Sequence, residues 1–150
     1  MDIIIGIGND LRSDDRVGPR VVDAISARAG LETMTVHQLV PEMAERIQQA
    51  RRVLFVDASL EGELCLRRIE ASTHRGLGHA CSPAALMGWI KLAYERMPES
   101  WLLSIPAVSF DFGETLSAHT AALMPKASQC IDSWLGDCLE PVLMMNEEEA

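Results

Sequence analysis

The four cysteines, Cys65, Cys81, Cys130 and Cys138, include no Cys-x-x-Cys pair. Their spacing excludes a zinc ribbon and a dithiol redox motif, and leaves reduced, packed thiols as the default. Basic residues are also scarce: 13 Lys and Arg stand against 22 Asp and Glu, a formal net charge of −9 with a pI close to 4.8. Such a chain repels the phosphates of nucleic acid and an anionic membrane surface, so its expected partner is a protein or a small molecule. No apolar run reaches the roughly 18 residues of a membrane span. Met1-Asp2 has no basic n-region and leads straight into a strand, which reads as a cytoplasmic protein. A Gly-x-Ser-x-Gly elbow is absent, Ser82 and Ser109 have no base at motif spacing, and a Cys81 nucleophile served by His79 has no supporting pattern. Internal repeats and low-complexity segments are missing too. With 150 residues the expectation is one domain over residues 1–145, monomeric, followed by a frayed acidic tail over residues 146–150.

What is present is organised around Ile3 to Val21. Ile3 to Ile5 is a short continuous β-branched run, as expected of a parallel strand buried on both faces. Gly6 and Gly8 allow a sharp turn, Asn9 and Asp10 suit it, and Val17, Val21, Ala24 and Ile25 then fall on one helix face. Pro19 is tolerated only near a helix start, so Asp15 lies just before the helix or in its first turn. A dinucleotide fingerprint fails here: Leu11 replaces the third small residue, and Asp10, Asp14 and Asp15 would repel a pyrophosphate. For Asp14 the expected role is a helix cap. For Asp15 the functional alternative is a metal-binding or catalytic carboxylate at the carboxyl end of a central strand, where open α/β sheets bind ligands.

Further along, Gly30 is a plausible helix C-cap, and Thr33 to Leu39 alternates as a strand before Pro41. Met43, Ala44, Ile47 and Ala50 form a short amphipathic helix. Val53 to Val56 is a second wholly apolar strand, expected beside the first. Glu63 to Ile69 follows too closely for a parallel crossover, so it is either antiparallel or not a neighbour. Ser82-Pro83 is an N-cap and first helical residue for a helix to about Tyr94, with His79 just ahead of it. Trp101 to Val108 is the last strand, and its Pro106 fits an edge strand or a strand end. Ser117 caps a closing helix to about Cys138, which Pro125 is expected to break or kink. The fold class is therefore α/β: a doubly wound, mostly parallel twisted sheet of about five strands, helices on both faces, and one strand antiparallel.

Asp57 ends its strand as Asp15 follows the first, which directs both carboxylates to one crevice. For Asp57 a turn or cap role is an even rival. His79 adds an imidazole from a third loop, kept neutral and ligand-competent by the positive end of the following helix. Two carboxylates and one imidazole suit zinc or nickel with a coordination position open. His37 reads as a strand residue, His119 as a helix-surface residue, and His74 as the weaker rival to His79. Cys81 could be a soft ligand, but a lone Cys at a helix start is more often packed.

The run Gly6-Ile7-Gly8-Asn9-Asp10-Leu11-Arg12-Ser13-Asp14-Asp15-Arg16-Val17-Gly18, with Val56-Asp57-Ala58 and a histidine before a loop-to-helix junction, resembles the maturation endopeptidases of nickel-iron hydrogenases. The resemblance implies that Asp15, Asp57 and His79 bind nickel. It also implies an activity, removal of a carboxy-terminal peptide from a hydrogenase large-subunit precursor once its nickel is installed. The nickel would be supplied by the client, and zinc or another divalent ion could substitute in the isolated protein. His37 to Ala44, Gly78-His79 ahead of Pro83, and Ile105 to Glu114 are similar to members serving soluble, bidirectional, NAD-linked hydrogenases. Two departures stand out: the Gly-Gly-Thr turn of other members is missing, and Arg16 occupies a position where many have glycine, crowding the turn. A non-enzymatic, metal-binding maturation chaperone of the same fold is the alternative.

Overall fold

The computed structural model describes residues 1–72 and 81–137. His74, His79, Cys138 and the acidic tail lie outside the described residues. Five strands form one sheet: β1 (Asp2–Ile7), β2 (Leu31–Val36), β3 (Arg52–Ser59), β4 (Cys65–Arg68) and β5 (Glu99–Pro106). Their spatial order is β2-β1-β3-β5-β4, with every pair parallel except β4 with β5. Both readings of the short β3–β4 connection therefore hold, since β4 is antiparallel and β5 separates it from β3. Pro106 ends β5, which is an inner strand.

Helices cover both faces, as strands buried on two sides require. Ile4, Leu54, Val56 and Leu103 pack toward α1 (Val17–Asp23) and α4 (Ala118–Leu135). The alternate residues Ile3, Ile5, Val53 and Phe55 pack toward α2 (Ala44–Ile47) and α3 (Pro83–Tyr94). Ser82 Oγ accepts the Ala85 N–H at 3.1 Å, and Ser117 Oγ accepts the Thr120 N–H at 3.2 Å, so both expected N-caps are formed.

Two expectations need correction. Gly30 is no helix C-cap: α1 ends at Asp23, and Gly30, at φ 79°, turns the chain into β2 and accepts the Asp2 N–H. Pro125 does not break the closing helix, which runs unbroken from Ala118 to Leu135. An internal proline costs about 3 kcal/mol. That is outweighed by a face that buries Ala127, Cys130, Ile131 and Trp134, each large apolar side chain gaining roughly 1.5–3 kcal/mol.

The amino-terminal end of the sheet is closed by a buried ion pair. Arg52 Nη2 lies 2.7 Å from Asp2 Oδ2, its guanidinium stands 4.1 Å above the Trp134 ring, and Nη1 donates to Trp134 O and Asp137 Oδ1. Burial alone would raise the Asp2 carboxyl, but Arg51 and Arg52 hold it below the usual carboxylate range. The carboxyl ends of β1 and β3 carry the loops described next.

Candidate functional site

Ile7, the last residue of β1, is the partner of Asp57 in the β1–β3 ladder, and β3 runs two residues further, to Ser59. The chain then folds back onto these ends through a 3-10 turn, Ser13–Arg16. Two glycines make that possible. A Cβ on Gly8 would lie 1.8 Å from the Asp15 carbonyl oxygen, and one on Gly18 would lie 2.5 Å from the Val56 oxygen and 2.9 Å from that of Ile7. Any other side chain would push the turn off the strands.

Asp15 is held from two directions. Its N–H donates to Arg12 O at 2.9 Å, and its Oδ2 accepts the Asn9 N–H at 2.8 Å. Asn9 is itself fixed by an Asx turn, with Oδ1 accepting the Leu11 N–H at 2.9 Å. Asp57 does not end its strand, since β3 runs on through Ala58 and Ser59; it is half-buried and shares the parity of Val53 and Phe55, so it points to the α2–α3 side of the sheet. Its carboxyl is pushed up to about 7, chiefly by burial and further by the negative charge of Asp15, against the Ala58 N–H, which lowers it. The structure thus brings Asp15 and Asp57 within electrostatic reach of each other.

His79, the third expected donor, lies outside the described residues. Its downstream anchor is described: Cys81 bridges Leu39 beyond β2, and α3 starts two residues later. Among the described residues no three His, Cys, Asp or Glu side chains form a metal-holding group. The donor chemistry of the pair nevertheless fits a divalent cation, because a carboxylate destabilised in its charged form by a second one is relieved by a positive ion.

The rival nucleophiles are otherwise engaged. Burial pushes the Cys81 thiol up, away from thiolate, and Ser82 caps α3. His37 is exposed just beyond β2. His119 is exposed on α4 and lines a cavity of about 510 Å³ with Leu64, Pro106 and Leu123. That cavity lies on the α4 side of the sheet, opposite the face toward which Asp57 points.

Asp14 departs from its expected role. α1 has no side-chain cap, and Asp14 is fully buried. Its Oδ2 accepts Val108 N–H at 2.8 Å, Ser109 N–H at 3.0 Å and Ser117 Oγ–H at 2.9 Å, and Oδ1 accepts Ser117 N–H at 2.6 Å. These partners belong to the β5–α4 connection. Burial alone would raise the carboxyl, but the donors, led by Ser117 and Val108, bring it down to about 2. Arg16 Nη1 donates to the Glu114 carbonyl, while its Nε is buried with no hydrogen-bond partner among the described residues.

The same two loops carry exposed apolar side chains. Leu11, Val108 and Phe112 are 53%, 61% and 82% exposed, and the Arg12 guanidinium lies 5.4 Å over the Phe112 ring. No helix among the described residues is long and apolar enough to cross a membrane.

The sequence matches no protein-family model and no curated protein. Its fold does have solved counterparts. Hydrogenase maturating endopeptidase HybD from E. coli superposes with a TM-score of 0.73 at 16% identity, over 91% of this chain and 92% of that one. The hydrogenase 2 maturation peptidase from a Thaumarchaeota archaeon gives a TM-score of 0.67 at 22% identity, over 90% and 97%. The [NiFe] hydrogenase maturation protease HybD from Thermococcus kodakarensis gives 0.63 at 21%, over 89% and 97%. At these identities the likeness is one of fold, and it spans nearly the whole of each chain.

Proposed function

We propose that this protein is an endopeptidase that removes the carboxy-terminal peptide of a nickel-iron hydrogenase large-subunit precursor after nickel insertion. The observation that carries the reading is the meeting of Asp15 and Asp57 at the carboxyl ends of adjacent strands, on a fold shared with hydrogenase maturation peptidases. In this reading the nickel belongs to the substrate. Asp15 and Asp57 are two of its ligands here, and His79 is the third on the strength of the sequence.

Gripping the client's nickel fixes the scissile peptide beside the site, so that a bimolecular encounter becomes an oriented one. The ion can polarise the peptide carbonyl or lower the pKa of an attacking water. This chain's own part is to hold the two carboxylates in register, Asp15 through the Asn9 N–H and Asp57 through the Ala58 N–H. Partial burial of Asp57 strengthens its attraction for a cation. The exposed Leu11, Val108 and Phe112 suit a folded protein client better than a free small molecule. The motifs around His37 to Ala44 and Ile105 to Glu114 favour a client from the soluble, NAD-linked hydrogenases.

The test is to incubate precursor with and without its nickel and to follow the released peptide by mass. Cutting of the nickel-loaded form alone is expected. Equal cutting of both forms would remove nickel as the recognition element. Binding without any cutting would favour the chaperone reading.

A further inference from the structure

Asp15 sits between two residues anchored to one distant loop. On one side, Asp14 receives the four hydrogen bonds from Val108, Ser109 and Ser117, and its own N–H donates to Ser109 O at 3.0 Å. On the other, Arg16 donates to Glu114 O. The preceding residues continue the seam: Ser13 N–H donates to Gly113 O at 2.9 Å, Ser13 Oγ to Asp111 O at 2.7 Å, and Gly113 N–H to Leu11 O at 3.0 Å. A cap for α1 would need none of this. A carboxylate with no solvent exposure and four donors is instead the fixed point of a two-loop body.

We propose that Asp14 is a positioning residue for the Asp15–Asp57 site, locking the β5–α4 connection to the turn that carries Asp15 so that the Asp15 carboxylate is held on the Asn9 N–H and toward Asp57. The lock has a direction. Ser117 is the N-cap of the 18-residue helix α4, so Asp14 ties the turn to the start of the longest helix. α4 in turn packs Ala127, Ile131 and Trp134 against the sheet, which gives the loop pair a rigid base. Asparagine at this position would present an amide NH₂ where only donors converge, and would leave one acceptor atom for four donors.

The consequence for cutting rests on the proposed peptidase activity, whereas the geometric consequence does not. The experiment compares wild type with Asp14→Asn well below the melting temperature of both. One readout is the amide proton shift of Asn9 in ¹⁵N-labelled protein, which reports its bond to Asp15 Oδ2. The other is kcat and KM on nickel-loaded precursor. The expected result is an upfield move of the Asn9 proton together with a fall in kcat of about 100-fold, the effect of a misplacement near 1 Å, with a smaller change in KM. An unmoved Asn9 proton and unchanged kcat in a folded variant would overturn the proposal and leave Asp14 as a stabilising residue only. If the Asn9 proton moves while even the wild type cuts nothing, the positioning role stands and the peptidase reading fails. Should Asp14→Asn not fold, Ser117→Ala removes one of the four donors; the Asn9 proton should then move in the same direction by less, and its failure to move counts against the proposal.

Discussion

Asp57 feels the charge of Asp15 because Gly8 lets the turn carrying Asp15 lie directly on the end of β1, whose last residue, Ile7, pairs with Asp57. The carboxylate pair is thus a product of backbone packing. Burial of Asp57 with a second negative charge in reach disfavours its ionised form, so the arrangement works against stability in the free protein.

This sets the expected behaviour of Asp57→Asn. Asparagine keeps the acceptor for the Ala58 N–H and removes the charge that burial and Asp15 disfavour. At pH 8 the variant should melt at or above the wild-type temperature while cutting of nickel-loaded precursor is abolished. Calorimetry and the mass assay check it together. Parallel losses of melting temperature and activity would mean that Asp57 is a structural turn residue.

Gly8→Ala tests the backbone side of the same relationship. A Cβ 1.8 Å from the Asp15 oxygen has no room, so the turn must lift. The expected costs are about 1–3 kcal/mol in stability, typical of overpacking, and a fall in cutting of about 100-fold through displaced ligands. Gly30→Ala is the control. Gly30 has a positive φ but nothing within 4 Å, so it should lose only stability, about 1–2 kcal/mol, with cutting unchanged. Urea titration and single-turnover cutting separate the two variants.

These relationships differ in how far the sequence discloses them. The apolar runs Ile3 to Ile5 and Val53 to Val56 are legible as buried parallel strands because burial on both faces demands unbroken β-branched and aliphatic residues. Ser82-Pro83 and Ser117 are legible as helix starts because a cap is a local interaction. Strand ends and loop order then suffice to put Asp15 and Asp57 at the same edge of the sheet, where one feels the charge of the other. Asp14 is a different case. Its partners Val108, Ser109 and Ser117 lie more than ninety positions away, so a reading of neighbours offers only a helix cap. The break that Pro125 threatens fails to occur for a related reason, since local propensity counts against the helix while the buried face that sustains it is tertiary. Arg16 is legible as a bulky residue in the turn, whereas its contact with Glu114, 98 positions away, is not.

The acid limb of the stability curve carries a separable signature of Asp14. Its folded carboxyl lies at about 2 against an ordinary value of 3.8, so its contribution is present in full above the unfolded value and is lost as pH falls from about 4 toward 2. For a fully buried group that difference corresponds to about 2 kcal/mol. Asp57 acts in the opposite sense: its folded value of about 7 is raised, so stability is lost as pH climbs from about 4 through 7. Urea unfolding of wild type and Asp14→Asn from pH 7 down to pH 2 should therefore show a stability gap that is constant above pH 5 and narrows by about 2 kcal/mol at the acid end. Asp57→Asn should leave that acid narrowing in place and flatten only the limb between pH 4 and pH 7. A gap between wild type and Asp14→Asn that stays constant to pH 2 would mean that the four donors around Asp14 serve its shape and not its charge.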